Sequence, residues 1–127
     1  MTAACSILLH LAALHLPAAP ELQSFTPGAG LQCQAGPWVA AAGAYRNSEA
    51  AWSRYAAAGA LPFAVGQVRA GVVVGLIDGY SSRPGFGPLA AGVVQIPAGR
   101  FSLQLLAVPR MQGLRAGAVQ LAVGMTL

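Results

Sequence analysis

Turn signals recur along this chain at short intervals, and their spacing limits what the chain can fold into. Most neighbouring clusters of glycine, proline, asparagine and serine stand roughly 8 to 15 residues apart, as they do between the strands of an all-β barrel or sandwich. The clusters lie at 26–28, 35–37, 46–49, 61–62, 81–87, 97–99 and 109–113. No apolar run between them reaches the roughly 18 uninterrupted residues of a membrane-spanning helix. The chain therefore predicts short strands.

Eight strands fit between these turns. We predict them at 5–16, 28–35, 38–47, 50–61, 66–79, 88–96, 100–108 and 115–126. Alternation is clearest in the last one, where Val119, Leu121, Val123 and Met125 carry the bulk and the residues between them are small or polar. An even number of strands with short hairpins closes most simply as an antiparallel up-and-down β-barrel, because closure removes exposed sheet edges. We expect a single domain over 1–127.

A helical or mixed fold is the alternative. The alanine-rich runs at 40–44 and 56–60 have high helix propensity. Gly43, Gly59 and Pro62 weaken that alternative, because glycine and proline disfavour helix interiors.

Composition indicates which face of such a barrel points outward. The 127 residues are 56% hydrophobic and only 8% charged, whereas a soluble domain carries about a quarter charged residues. A barrel with its bulky face outward and a polar lumen is of the outer-membrane type, and one with the bulk inward is of the soluble lipocalin type. The low charge favours the membrane barrel.

The net charge of +4 comes from seven arginines that are scattered along the chain. Nucleic-acid binding requires a basic stripe or patch, so we expect no nucleic-acid partner. Weak attraction to anionic lipid headgroups is the milder interpretation of the same charge.

The N-terminal residues 1–19 are mostly apolar and end in small residues, which resembles a secretory signal. They lack a basic n-region, so we interpret them as part of the fold, with a signal peptide as the competing interpretation. If Cys5 and Cys33 lie on strands joined by a loop near Glu21, Cys33 falls opposite Leu9. This register predicts two buried free cysteines and no disulfide.

Polar chemistry is concentrated in residues 43–48 and 53–56. Alternation places Tyr45 and Asn47 on one face of their strand and Arg46 and Ser48 on the other. A hairpin centred near 48–49 would bring Tyr45 or Asn47 against Ser53 or Tyr55 at the barrel rim, with Arg46 meeting Glu49 or Asp78. In the structural interpretation this cluster fixes the hairpin register, flanked by Trp38 and Trp52 as interfacial aromatics. As ligand-binding residues we predict Tyr45, Arg46, Asn47, Ser48, Ser53, Tyr55 and Asp78.

The catalytic signal is weaker. Strict alternation places His10 and His15 on opposite faces, so that at most one faces the lumen. His15 acting as a base on the hydroxyl of Ser48 or Ser53 is the candidate catalytic pair. The chain contains no G-x-S-x-G motif. Its two histidines, two cysteines and three carboxylates are dispersed, and it lacks a phosphate loop, so we predict no metal and no cofactor.

An ordered set of residues resembles a family of small bacterial and phage proteins predicted to be β-barrels. The set is His15, Thr26-Pro27-Gly28, Gly43-Ala44-Tyr45-Arg46-Asn47-Ser48, Ser53-x-Tyr55-Ala56 and Gly79-Tyr80. The family pattern reads approximately histidine, Asn-Pro-Gly, Gly-Ala-Tyr-Arg-Asn-Ser and Ser-x-Tyr-Ala-Gly. This chain departs from it at Thr26 and Ala57, where asparagine and glycine are usual. The architecture is similar to that of the lipid A palmitoyltransferase, an eight-stranded outer-membrane acyltransferase.

We therefore expect a small membrane-associated barrel, located in an outer membrane, whose polar rim or lumen binds a lipid or another amphipathic molecule. One alternative is a lipid-modifying acyl hydrolase or transferase. The other is a soluble phage component, either a virion barrel or an inhibitor of a host defence, located in the virion or the host cytoplasm.

Overall fold

A computed structural model of the protein describes residues 3–16, 25–47, 50–79, 85–109 and 117–127. These residues form eight strands that close into an antiparallel up-and-down barrel, in which each strand pairs with its sequence neighbours and β1 pairs with β8. The strands are β1 Ala4–Leu16, β2 Phe25–Ala35, β3 Trp38–Arg46, β4 Trp52–Val65, β5 Val68–Ile77, β6 Gly87–Ala98, β7 Phe101–Val108 and β8 Gly117–Thr126. The predicted all-β barrel is confirmed.

The two ends of the barrel differ in their connections. At one end, two-residue turns at 36–37, 66–67 and 99–100 join the strands, and each begins with a glycine at positive φ. We call this the short-turn end; β1 begins there and β8 ends there. At the opposite end the connections after β1, β3, β5 and β7 are longer, and we call this the long-loop end.

The alanine-rich runs lie in the barrel wall. Residues 40–44 belong to β3 and 56–60 to β4, so the helical alternative is wrong. Every described element is a strand or a turn. Among the described residues no helix is both long and apolar enough to cross a membrane.

Side chains alternate between the lumen and the outside, as predicted. On β3, Val39 and Tyr45 are buried while Trp38 and Arg46 are exposed. In the lumen, one apolar cluster fills the half nearest the short turns on the β3–β6 side. Its buried members are Val39, Leu61, Val73, Ala91 and Val93.

Pro62 does not end a strand. We predicted a turn at 61–62, but β4 continues to Val65 and the turn is Gly66-Gln67. The β4–β5 register shifts between Ala60 and Phe63, and such an irregularity is where a strand accommodates a proline.

The prediction of free cysteines is wrong. Cys5 lies directly opposite Cys33 in the β1–β2 register, and the two form a disulfide. The expected register was displaced by four residues, since Leu9 pairs with Ala29 instead of Cys33. Turn position alone did not fix this register, because β1 must also match β8 on its other side and contains an irregularity between His10 and Ala12.

Candidate functional site

Asn47 and Ser53 form a buried polar cluster at the long-loop end. Both side chains have 0% exposure, and Asn47 Nδ2 donates hydrogen bonds to Ser53 Oγ and to the Gly79 carbonyl oxygen, each at 2.8 Å. Asn47 Oδ1 accepts a hydrogen bond from the Ala51 amide at 3.2 Å. The asparagine thus joins β4, the β3–β4 connection and the residues that follow β5.

A second cluster lies deeper in the lumen, where His10 meets two tyrosines. His10 Nε2 and the Tyr55 hydroxyl are 2.6 Å apart, and the centre of the imidazole lies 5.4 Å from the ring centres of both Tyr55 and Tyr45. The Tyr45 hydroxyl also accepts a hydrogen bond from Gln120 Nε2 at 3.3 Å. His10 is 6% exposed, and its Nδ1 has no hydrogen-bond partner among the described residues.

Glycines on the neighbouring strands make room for these rings. A Cβ on Gly30 or Gly43 would approach the Tyr55 hydroxyl to 2.6 or 2.8 Å, which is closer than real Cβ atoms come. A Cβ on Gly28 would overlap Tyr45. Gly28 and Gly43 therefore allow the close approach of the β2 and β3 backbones as well as the packing of the tyrosines.

Glutamine side chains cross the lumen towards the short-turn end. Gln104 Nε2 on β7 donates to Gln32 Oε1 on β2 at 2.8 Å, and Gln95 Nε2 on β6 donates to Gln34 Oε1 at 3.1 Å. These strands are not neighbours in the sheet, so the amide pairs connect opposite walls of the barrel.

Asp78 lies just beyond β5 and pairs with Arg54. The Arg54 Nε and Nη2 atoms lie 2.9 and 2.7 Å from Asp78 Oδ2, and the Arg54 backbone amide donates to Oδ1 at 2.6 Å. The backbone bond first, and then the guanidinium bonds, lower the pKa of Asp78 below its ordinary value. The guanidinium carbon also lies 5.3 Å from the centre of the Phe86 ring.

Arg46 was expected to meet Glu49 or Asp78, and for Asp78 this expectation is wrong because its partner is Arg54. Glu49 lies outside the described residues. We did not predict Arg54 as a site residue.

The candidate catalytic pair is not assembled by the described residues. Ser48 and the side chain of His15 lie outside them, and the hydroxyl of Ser53 accepts from Asn47. The irregularity after His10 shifts the alternation along β1, so that His10 and Ala13 are both buried. We did not predict His10 as a site residue. The sequence signal that could have identified a buried polar cluster in the lumen was the pair of tyrosines, Tyr45 and Tyr55, that surround His10 in the structure.

The outer surface of the barrel is apolar and banded. Large aliphatic side chains are exposed between the two ends and form what we call the apolar belt: Ile7, Leu9, Leu11, Leu14, Leu31, Val72, Val74, Leu76, Ile96 and Leu103. All six phenylalanines and tryptophans of the chain are exposed as well, and each lies near a strand end. Phe25, Trp52 and Phe86 are at the long-loop end, and Trp38, Phe63 and Phe101 are at the short-turn end.

Within the described ranges, the charged side chains lie at the same two levels. The five charged Arg and Asp side chains among the described residues lie within three residues of a strand end: Arg46, Arg54, Arg69, Asp78 and Arg100. In the described part of the chain, no three histidine, cysteine or acidic side chains converge on a point where a metal ion could bind.

No protein-family model, curated protein or solved structure matches this chain.

Proposed function

We propose that this protein is a small integral β-barrel of a bacterial outer membrane, or of a phage that targets one, and that its outer wall is the surface that binds lipid. The observation that carries the proposal is the apolar belt, which lies between two bands of exposed phenylalanine and tryptophan side chains, one at each end of the barrel. Water-soluble barrels bury their large apolar side chains, whereas membrane barrels expose them between aromatic girdles.

The dimensions of the wall support this proposal. Trp52 and Phe63 mark the two aromatic levels on β4 and are eleven residues apart, 63 minus 52. At about 3.3 Å per residue and a strand tilt of roughly 45°, the two levels are separated by about 25 Å along the barrel axis. The apolar band of an outer-membrane barrel is also about 25 Å tall.

The connections and the disulfide support the same compartment. Outer-membrane barrels have short turns on the periplasmic side and longer loops outside, which is the asymmetry of the two ends here. The Cys5–Cys33 disulfide requires an oxidising environment such as the periplasm, and disulfides are rare in the cytosol. The pairing therefore disfavours the alternative of a phage protein in the host cytoplasm.

The polar residues predicted to bind a ligand support a structural role in this proposal. Asn47, Ser53 and Tyr55 are engaged with partners inside the protein. Among the described residues neither His10 nor Ser53 has a hydrogen bond that would pair histidine with serine, so the acyl hydrolase or transferase lacks support from contacts. The resemblance to small bacterial and phage barrels remains part of the proposal.

The test is a pair of outward-facing arginine substitutions. Val74 is 60% exposed and lies level with the middle of the Trp52–Phe63 span, because it pairs with Ala58. Val65 is 83% exposed at the last position of β4. In a bilayer, Val74→Arg should lower the free energy of unfolding by about 2 to 4 kcal/mol and Val65→Arg should lower it by about 0 to 1 kcal/mol.

The measurement is reversible urea unfolding in phosphatidylcholine vesicles, with the folded band identified by its shifted mobility on unboiled gels. A soluble barrel gives the opposite result, since exposed substitutions in water cost within about 0.5 kcal/mol at both sites. If both arginine substitutions change the free energy of unfolding by equally small amounts, and the protein gives a folded band in detergent-free buffer, the alternative of a soluble phage component is favoured instead.

A further inference from the structure

We propose that Arg46, Trp52 and Arg54, which we call the rim patch, bind the phosphate of an anionic lipid headgroup whose acyl chain lies against the wall below. This inference rests on the proposed function and specifies which lipid the outer wall prefers.

The sheet register brings the rim patch together. Arg46 is the last residue of β3 and pairs with Trp52, the first residue of β4, while Arg54 pairs with Ala44. Arg46 and Arg54 are thus diagonal neighbours on one face, and such neighbours lie about 7 to 8 Å apart, within reach of long side chains. All three are exposed, and a headgroup phosphate could contact both guanidinium groups.

The two arginines differ in how they are held. Arg54 is fixed by Asp78 and by the Phe86 ring, and its Nη1 makes no hydrogen bond within the described residues. Arg46 makes no hydrogen bond or ion pair with any described residue. The patch therefore combines one positioned guanidinium with one whose charge is not compensated by the described protein.

The guanidinium group of arginine is complementary to phosphate in charge and in hydrogen-bonding geometry. The planar fork of an arginine donates paired hydrogen bonds to phosphate oxygens and is more weakly hydrated than an ammonium group. The exposed aromatic side chains Trp52 and Phe86 lie at the same end of the barrel as the patch. The headgroups of a surrounding bilayer would lie at this level.

The direction in which the side chains of the rim patch point favours a lipid over a free anion as the ligand. Its side chains project sideways from the wall, on the same face as the apolar belt, and not into the lumen. Below the patch this face carries small side chains along two strands: Ala40, Ala42, Ala44, Ala56 and Ala58. The strip leads to an open groove of about 530 Å³ lined in part by Ala40, Ala58 and Trp38. An acyl chain attached to a bound headgroup would lie along this strip.

Tryptophan quenching by brominated lipids tests the proposal. In a Trp38→Phe background Trp52 is the only tryptophan, since the chain contains two. The barrel is reconstituted in phosphatidylcholine vesicles containing phosphatidic acid, and the bromine label is placed on the acyl chains of one lipid or the other. The ratio of the two quenching curves gives the relative binding constant for phosphatidic acid over phosphatidylcholine at Trp52.

We expect a preference of several-fold for phosphatidic acid. Arg46→Gln should reduce it about fivefold, because a basic side chain near an anionic lipid is worth about 1 kcal/mol. Arg46→Lys should retain most of the preference, and high salt should weaken it. Arg100→Gln is the matched control, because Arg100 lies at the opposite end and hydrogen-bonds the Thr126 carbonyl.

Three results would overturn the proposal. The first is a relative binding constant near one for the wild-type patch, and the second is an unchanged constant in Arg46→Gln. The third is loss of the preference on adding inorganic phosphate at constant ionic strength, which would identify a site for free anions. The proposed function fails separately: a barrel that does not insert into phosphatidylcholine vesicles removes both proposals, whereas one that inserts without a lipid preference removes only this one.

Discussion

Asn47 and Ser53 are both fully buried and are joined by a 2.8 Å hydrogen bond, with the asparagine amide as donor. They are six residues apart, one just after β3 and the other on β4. Because the same amide also bonds the Gly79 carbonyl, a single side chain holds two connections of the long-loop end together.

Asn47→Ala should therefore destabilise the barrel more than Ser53→Ala. The alanine at 47 leaves the Ser53 hydroxyl, the Gly79 carbonyl and the Ala51 amide without this partner, and each unsatisfied buried group costs about 1 to 3 kcal/mol. We expect a loss of about 2 to 4 kcal/mol for Asn47→Ala and about 1 kcal/mol for Ser53→Ala, measured by urea unfolding in lipid vesicles. Equal losses would show that the asparagine is not the centre of the cluster.

Gly75→Ala should be strongly destabilising, and Gly92→Ala is its control. A Cβ on Gly75, which faces the lumen, would overlap the Ala56 carbonyl oxygen and lie 2.6 Å from the Ala57 Cα. The clash is with the backbone of the adjacent strand, so we expect a cost of about 3 kcal/mol or failure to form the barrel. A Cβ on Gly92 meets its nearest atoms at 4.0 Å.

Gly92→Ala should accordingly change the free energy of unfolding by no more than about 1 kcal/mol in either direction. The readout is the fraction of chain that reaches the fast-migrating folded band on unboiled gels, followed by urea unfolding of what has folded. If Gly75→Ala folds as well as Gly92→Ala, a Cβ at position 75 fits between β4 and β5. This result would contradict the close approach of the two strands at this point.

Reduction of the Cys5–Cys33 bond should lower stability without changing the topology. The disulfide closes a loop of 28 residues, and constraining the unfolded chain by a loop of that length is worth about 3 to 4 kcal/mol. We expect the double variant Cys5→Ser/Cys33→Ser to match the reduced wild type in urea unfolding, and the reductant to have no effect on the variant. Free thiols in protein isolated under non-reducing conditions, detected by alkylation and mass spectrometry, would contradict the pairing.

Stability should fall in acid through Asp78. Hydrogen bonds from Arg54 lower the pKa of Asp78 in the folded protein below its ordinary value of 3.8, so the carboxylate contributes stability above that pH. The contribution disappears as the pH falls through the lowered pKa, when the folded protein also takes up the proton. Asp78→Asn should be less stable than the wild type at neutral pH.

The difference between the two proteins should begin to narrow below the ordinary pKa of 3.8 and should disappear once the pH is below the lowered pKa of folded Asp78, when both proteins carry a neutral side chain at this position. The measurement is the free energy of unfolding as a function of pH for both proteins. A difference that does not vary with pH would mean that the charge of Asp78 is not what stabilises the pair.

Local pattern was sufficient to predict the strands and their faces. The period-2 alternation correctly placed Tyr45 and Asn47 on one face of their strand and Arg46 on the other, and the regular turns indicated the number of strands. These features depend on residues close together in sequence, where the backbone geometry of a strand determines direction.

The features that the sequence did not predict depend on contacts between strands. The partner of Cys5 is set by a register that three strands must share, and an irregularity after His10 changes which side chains of β1 face the lumen. Likewise, Asp78 selects Arg54 over Arg46 because β4, and not β3, is the strand that pairs with β5. Alternation within one strand contains no information about these choices.

The amide pairs Gln32–Gln104 and Gln34–Gln95 have a consequence for permeation. Because each pair connects walls that are not adjacent in the sheet, a solute moving along the axis would have to separate both hydrogen bonds and then displace the ring cluster around His10. We therefore expect that reconstitution of the barrel into a planar bilayer adds no steady conductance.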